Sequence, residues 1–235
     1  MKQHAGILLR ILGYYSLYVL LANIGILVVL VLLEQIGISK LPSITGEFIS
    51  DVLLLPILII VFKLYKKEQL HELFQAPLQW KKVLQLFPIS IFARFLLVLV
   101  IGILAIILVV ILNQDLIELI NSGVEYQWSL FDESEGIIKL LGFFSFVIFG
   151  PINEELLNRV VVLGYLRKFY SEKTSIIYSS IIFALAHVHP GLYLSSFVLG
   201  VVLAWIYIKW KNLWYPIILH MLINVQPFIL AYFIK

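Results

Sequence analysis

The chain has no cysteine. That absence rules out a disulfide framework, a thiolate nucleophile and cysteine-ligated zinc, and it leaves the redox compartment undetermined. Charge is scarce too: 13% of the 235 residues are charged, against about 25% in an ordinary soluble domain. The formal net charge of +3 is too small to argue for a nucleic-acid partner, and the basic residues gather at the ends of apolar runs rather than on one amphipathic face. There is no internal repeat, no low-complexity tract and no linker that would divide the chain. A single integral membrane domain over 1–235 is expected.

What fills the chain is apolar. Hydrophobic residues make up 62% and the mean hydropathy is +1.02, values that imply a polytopic membrane protein. Runs long enough to cross a bilayer, which takes about 20 residues, fall near 11–33, 47–65, 86–112, 137–166, 174–188, 192–208 and 213–234. The expected fold is therefore an all-α transmembrane bundle of about seven spans, or eight if an interfacial helix is added. The first run is longer than the roughly 7–15-residue core of a signal peptide and has no small-residue cleavage site after it, so it reads as a retained span.

Basic residues set the orientation, because cytoplasmic loops are enriched in them. An N-terminus placed inside puts Lys2, Arg10, Lys63, Lys66, Lys67, Lys81, Lys82, Arg167, Lys168, Lys173, Lys209 and Lys211 on the cytoplasmic side. Only Lys40, Lys139 and Lys235 fall opposite, while Arg94 and Arg159 lie within spans. The 113–136 segment holds acids and no Lys or Arg, as an external loop would. The 63–86 segment mixes basic and apolar residues, and reads either as an amphipathic helix on the cytoplasmic surface or as a solvated loop.

Against this background the 136–166 stretch is anomalous, since Glu154 and Glu155 stand in its middle with Arg159 one turn on. An acidic side chain at the centre of a membrane helix costs roughly 2.5–3.5 kcal/mol on insertion scales, so intramembrane ionisable groups usually face a polar cavity and mark function. On a helix Glu155 and Arg159 share a face and can pair, whereas Glu154 points about 100° away. The two acids can thus do different work: a paired Glu155 holds the helix, and Glu154 is free to take a proton from water. Gly150-Pro151 just upstream should loosen or kink the helix and open a polar pocket. By the same four-residue spacing Phe183 pairs with His187 and His220 with Asn224. At about 1.5 Å per residue, Glu154, His187 and the His220–Asn224 pair all fall roughly 10–20 Å from the cytoplasmic ends of their spans, so they can converge in one layer.

The motifs E-E-x-x-x-R (Glu154, Glu155, Arg159), F-x-x-x-H (Phe183, His187) and H-x-x-x-N (His220, Asn224), in that order on successive hydrophobic segments, resemble the CPBP family. This is the family of CAAX prenyl proteases and bacteriocin-processing or self-immunity proteins, also called the Abi family. The likeness covers about 137–230; the N-terminal spans carry no motif. It implies an all-α intramembrane endopeptidase in which Glu154 and His187 activate water, His220 and Asn224 stabilise the oxyanion, and Glu155 and Arg159 support the site. Amide hydrolysis needs a base for water and donors for developing negative charge, and these residue types supply both. Glu154, His187 and His220 could also ligate Zn2+, although no H-E-x-x-H helix is present, so a metal-free glutamate base and a zinc site both stay open. Other intramembrane protease chemistries lack their residues: no deep aspartate pair, no cysteine, no G-x-S-G turn.

Blander readings exist for each feature. The acids and Arg159 could be a buried ion-pair cluster that only fixes packing, and either histidine alone could be structural. His4, His71 and His189 read as solvated or interfacial, and Arg94 as snorkelling to the interface. Trp205, Tyr207, Trp210, Trp214 and Tyr215 read as an interfacial belt, and Gly200 with Ala204 as a close-packing pair. The expected partners are the lipid bilayer and a peptide or membrane-protein substrate; the expected location is a bacterial plasma membrane. The rival functional class is a non-proteolytic membrane scaffold that regulates a sensor kinase or toxin receptor. A small transporter is disfavoured by the apolar external halves of the spans.

Overall fold

A computed structural model describes residues 76–112, 136–187 and 190–233, together with positions 13, 24, 52, 118, 122 and 125. Apart from single positions, the expected spans 11–33 and 47–65 and the 113–135 segment lie outside the described residues, as do His4, His71, His189 and the side chain of Arg94. The described residues form helices and no strand. They are α1 (Trp80–Leu112), α2 (136–166), α3 (Glu172–Leu185), a short 3-10 turn at Pro190–Leu192, α4 (Tyr193–Trp210) and α5 (Trp214–Phe233). Among the described residues two stretches, Lys139–Leu166 and Tyr193–Trp210, are long and apolar enough to cross a membrane. Along α1 the residues Leu84, Phe87, Phe92 and Phe95 point outward, a surface suited to hydrocarbon.

Helix α1 begins earlier than the apolar run suggests. Trp80 to Leu86 are its first turns, not a separate surface helix, and residues 76–79 form a strap that is tied to the α4–α5 turn. Ala76 N–H donates to Lys211 O at 3.0 Å, Asn212 Nδ2 donates to Ala76 O at 2.6 Å, and Gln79 N–H donates to Tyr215 Oη at 2.8 Å. Tyr215 is consequently fully buried, which corrects its expected place in an interfacial belt; Trp205 and Trp214 do remain exposed. The reason is that a phenol oxygen can satisfy a strap amide that no helix reaches. Lys211 takes a left-handed backbone, with φ 51°, to end α4 and turn the chain into α5.

Helix α2 is not uniform. Its turns at Ser145–Phe149 and Leu156–Leu163 are π-helical: Gly150 N–H reaches back to Ser145 O, and Gly164 N–H to Arg159 O, each five residues away. The first widening immediately precedes Pro151, whose ring would crowd the carbonyl four residues back in a regular helix. Loosening at Gly150-Pro151 therefore takes the form of a π-turn. Helix α3 opens on Ser171, whose Oγ accepts from Thr174 N–H at 3.3 Å, with Glu172 in the first turn.

Several contact zones hold the described helices together. Leu86, Leu203, Ile206, Tyr215 and Leu219 join α1, α4 and α5. Leu163, Ile176 and Ala204 join α2, α3 and α4, and Leu213 and Ile217 pack with Ile152, Leu156 and Val160 of α2. Between α3 and α4 the approach is close enough that a Cβ on Gly200 would lie 3.1 Å from the Ser180 Cα. Such contact between small residues is how apolar helices associate without water to drive them together.

Candidate active site

The pairing expected from the four-residue spacing on α2 is present. Arg159 Nε lies 2.6 Å from Glu155 Oε2 and Nη2 lies 3.2 Å from Oε1, a two-pronged ion pair with both side chains fully buried. His220 Nδ1, from α5, approaches Glu155 Oε1 at 3.4 Å without the alignment of a hydrogen bond. The remaining prong, Arg159 Nη1, points to Gly200 O on α4 at 3.4 Å. Glu155 thus has both carboxylate oxygens bonded to Arg159, which makes it a weaker base for a water proton than a carboxylate without such a partner.

Glu154 is placed differently. Its side chain is half-buried, and Oε2 is buried with no hydrogen-bond partner. A buried acceptor left open is costly, and such groups call for a role. The Glu154 carbonyl accepts from Asn158 Nδ2 at 2.8 Å, at the point where α2 widens into its second π-turn.

Phe183 is the centre of the aromatic contacts. Its ring packs edge-on to His187 at 5.1 Å and to His220 at 6.0 Å between centroids, and the Arg159 guanidinium lies 5.8 Å from it. The sequence marks Phe183 only as a motif position and gives no hint of this contact with Arg159. His187 lies just past the end of α3 rather than on it, because Ala186 caps the helix. It keeps its relation to Phe183 all the same, with Nδ1 2.9 Å from Phe183 O. A carbonyl only accepts, so this bond requires Nδ1–H and leaves the lone pair of a neutral ring on Nε2. Asn224 reaches not a histidine but the Phe146 carbonyl in the first π-turn, at 2.9 Å, which uses one of its two amide protons.

Glu155, Arg159, Phe183, His187 and His220 are thus linked by direct contacts, and Glu154 and Asn224 are tied to the same layer through α2. Among the described residues no three His, Asp or Glu side chains gather as metal ligands.

Residues 136–226 match the family of type II CAAX prenyl endopeptidases, Rce1-like. This stretch is an Rce1-like domain. No curated protein and no solved structure matches the chain. The Rce1-like domain runs from the start of α2 into α5, and every motif residue from Glu154 to Asn224 lies within it. Helix α1 lies outside it. The family and the apolar helices together point to an integral membrane protein.

Proposed function

We propose that the Rce1-like domain is an intramembrane endopeptidase that hydrolyses a peptide bond in a membrane-associated peptide or protein, with Glu154 as the base for water. The observation that carries the mechanism is the contrast between adjacent acids: Glu155 is locked by Arg159, and Glu154 has a buried oxygen with no partner. In the first step the Glu154 carboxylate takes a proton as the water oxygen attacks the scissile carbonyl, and His187 Nε2 accepts from the same water to orient it. Negative charge then moves onto the carbonyl oxygen. His220, in the form that carries a proton on Nε2, and the second amide proton of Asn224 would donate to it. Protonated Glu154 returns its proton to the leaving amine as the C–N bond breaks, which leaves the carboxylate as it began.

The family resemblance suggests, by analogy alone, peptide maturation or bacteriocin self-immunity rather than processing of prenylated tails, in a bacterial plasma membrane; the charge distribution suggests an N-terminus inside. The test is cleavage of a panel of fluorogenic membrane-peptide and prenyl-peptide substrates by the detergent-purified chain. Glu154→Ala should abolish turnover, and a chelator should leave the wild type unchanged. Loss with chelator would replace the glutamate-only mechanism by a metal-dependent one. A fully active Glu154→Ala variant would remove Glu154 from the chemistry, and a wild type inert toward the whole panel would favour a scaffold.

A further inference from the structure

Gly200 meets the active-site network at two points. Its carbonyl accepts from Arg159 Nη1 at 3.4 Å, and a Cβ in its place would lie 3.1 Å from Phe183 Cδ1 and 3.1 Å from both Cα and Cβ of Ser180. Neither neighbour is free to move. Ser180 is fully buried with Oγ bonded to Ile176 O at 2.8 Å, and its Cα is backbone. Phe183 is buried to 1% exposure and has Arg159, His187 and His220 against its ring. One turn along α4, Ala204 carries a methyl into the same seam, packed with Leu163 and Ile176. The seam as such therefore tolerates a Cβ; at position 200 the space belongs to the phenylalanine ring.

We propose that Gly200 is a positioning residue of the active site. Having no side chain, it lets α3 close on α4 so that the Phe183 ring is held edge-on to both histidines, while its carbonyl fixes the third prong of Arg159 and with it Glu155. A methyl at 200 would press on the ring from one side and shift the carbonyl from the other. The kinetic consequence rests on the endopeptidase reading; the effect on the histidines does not.

The experiment uses the full chain as wild type, Gly200→Ala, Ala204→Gly and the double variant Gly200→Ala/Ser180→Gly, which removes the Ser180 Cβ contact and leaves those with the Ser180 Cα and the Phe183 ring. With a substrate the wild type cleaves, Gly200→Ala should lower kcat about 10- to 100-fold, the scale set by misplacing catalytic groups by under an ångström, and leave KM within about twofold. Ala204→Gly should keep its kcat, and the double variant should recover part of what Gly200→Ala lost. 15N spectra of labelled histidines should show the His187 and His220 signals displaced in Gly200→Ala and in place in Ala204→Gly. An unchanged kcat together with unchanged histidine signals overturns the inference, as does a kcat that falls only in step with the folded fraction. If Gly200→Ala alone does not fold, the double variant carries the same comparison. Should the wild type cleave nothing, the endopeptidase reading fails and the histidine spectra still decide whether Gly200 sets the ring contacts.

Discussion

At the Trp214 end of α5 the hydrogen bonds are neutral and most use backbone: Ala76, Gln79, Lys211 and Asn212 exchange them around the Tyr215 phenol, and a nearby cation, Lys82 Nζ, stands 5.7 Å from the Tyr215 ring centroid. Two turns along the same helix, His220 faces a fully buried Glu155–Arg159 ion pair. Both regions fasten α5 to its neighbours, so anchoring alone does not explain the second. Neutral hydrogen bonds contribute about 1 kcal/mol each with little desolvation to offset. A buried ion pair costs several kcal/mol per ion to desolvate and often does no better than apolar residues of the same size. Charge kept where neutral groups would hold the helix as well is what the proposed endopeptidase site would account for.

The sharpest way to break this contrast is Arg159→Met, which leaves Glu155 buried and uncompensated. It should cost about 3–5 kcal/mol in unfolding experiments in detergent, and pairing it with Glu155→Gln should recover much of that. A loss below about 1 kcal/mol would mean that Glu155 carries no charge. At the neutral end Asn212→Ala removes a bond to Ala76 O and another to Trp214 N–H, the latter at 2.9 Å in the first turn of α5. The expected cost is about 1–2 kcal/mol, read as a lower thermal midpoint. Tyr215→Phe keeps the buried ring and loses the oxygen that satisfies Gln79 N–H, so about 1 kcal/mol is expected, with faster hydrogen exchange at Gln79. Lys211→Gly is the smallest and of opposite sign. Relief of the left-handed backbone, offset in part by glycine's greater freedom when unfolded, should raise stability by up to about 1 kcal/mol. If Lys211→Gly destabilised the chain, the turn would depend on the lysine side chain.

The Glu155–Arg159 pair was legible because four residues on a helix bring two side chains together whatever the rest of the fold does. The approach of His220 to Glu155 on α2 is compatible with their expected depth within the spans. Other parts leave no local trace. A π-turn alters hydrogen bonding without changing which residues are apolar, so periodicity passes over Leu156–Leu163; only Gly150-Pro151 hinted at the first widening. The strap depends on bonds across more than a hundred residues, which explains why Tyr215 read as an interfacial residue. Gly200 could be recognised as a close-packing position, but nothing in the sequence says that its carbonyl meets Arg159.

The exposed Trp205 and Trp214, with Lys209 Nζ 4.2 Å from the Trp205 ring centroid, mark a level suited to lipid headgroups. Counted along α5 from Trp214 at about 1.5 Å per residue, His220 lies about 9 Å deeper and Asn224 about 15 Å deeper. An extended peptide advances about 3.3 Å per residue, so a chain entering from that face needs about three to five unfolded residues before its cut bond arrives. On the proposed endopeptidase reading this layer would act as a depth gauge, admitting tails and loosened segments by reach and passing over bonds closer than that to a folded domain. Substrates with a graded spacer between a folded domain and the cut bond should switch from refused to cleaved as the spacer passes that length; cleavage indifferent to spacer length would place the chemistry at the membrane surface.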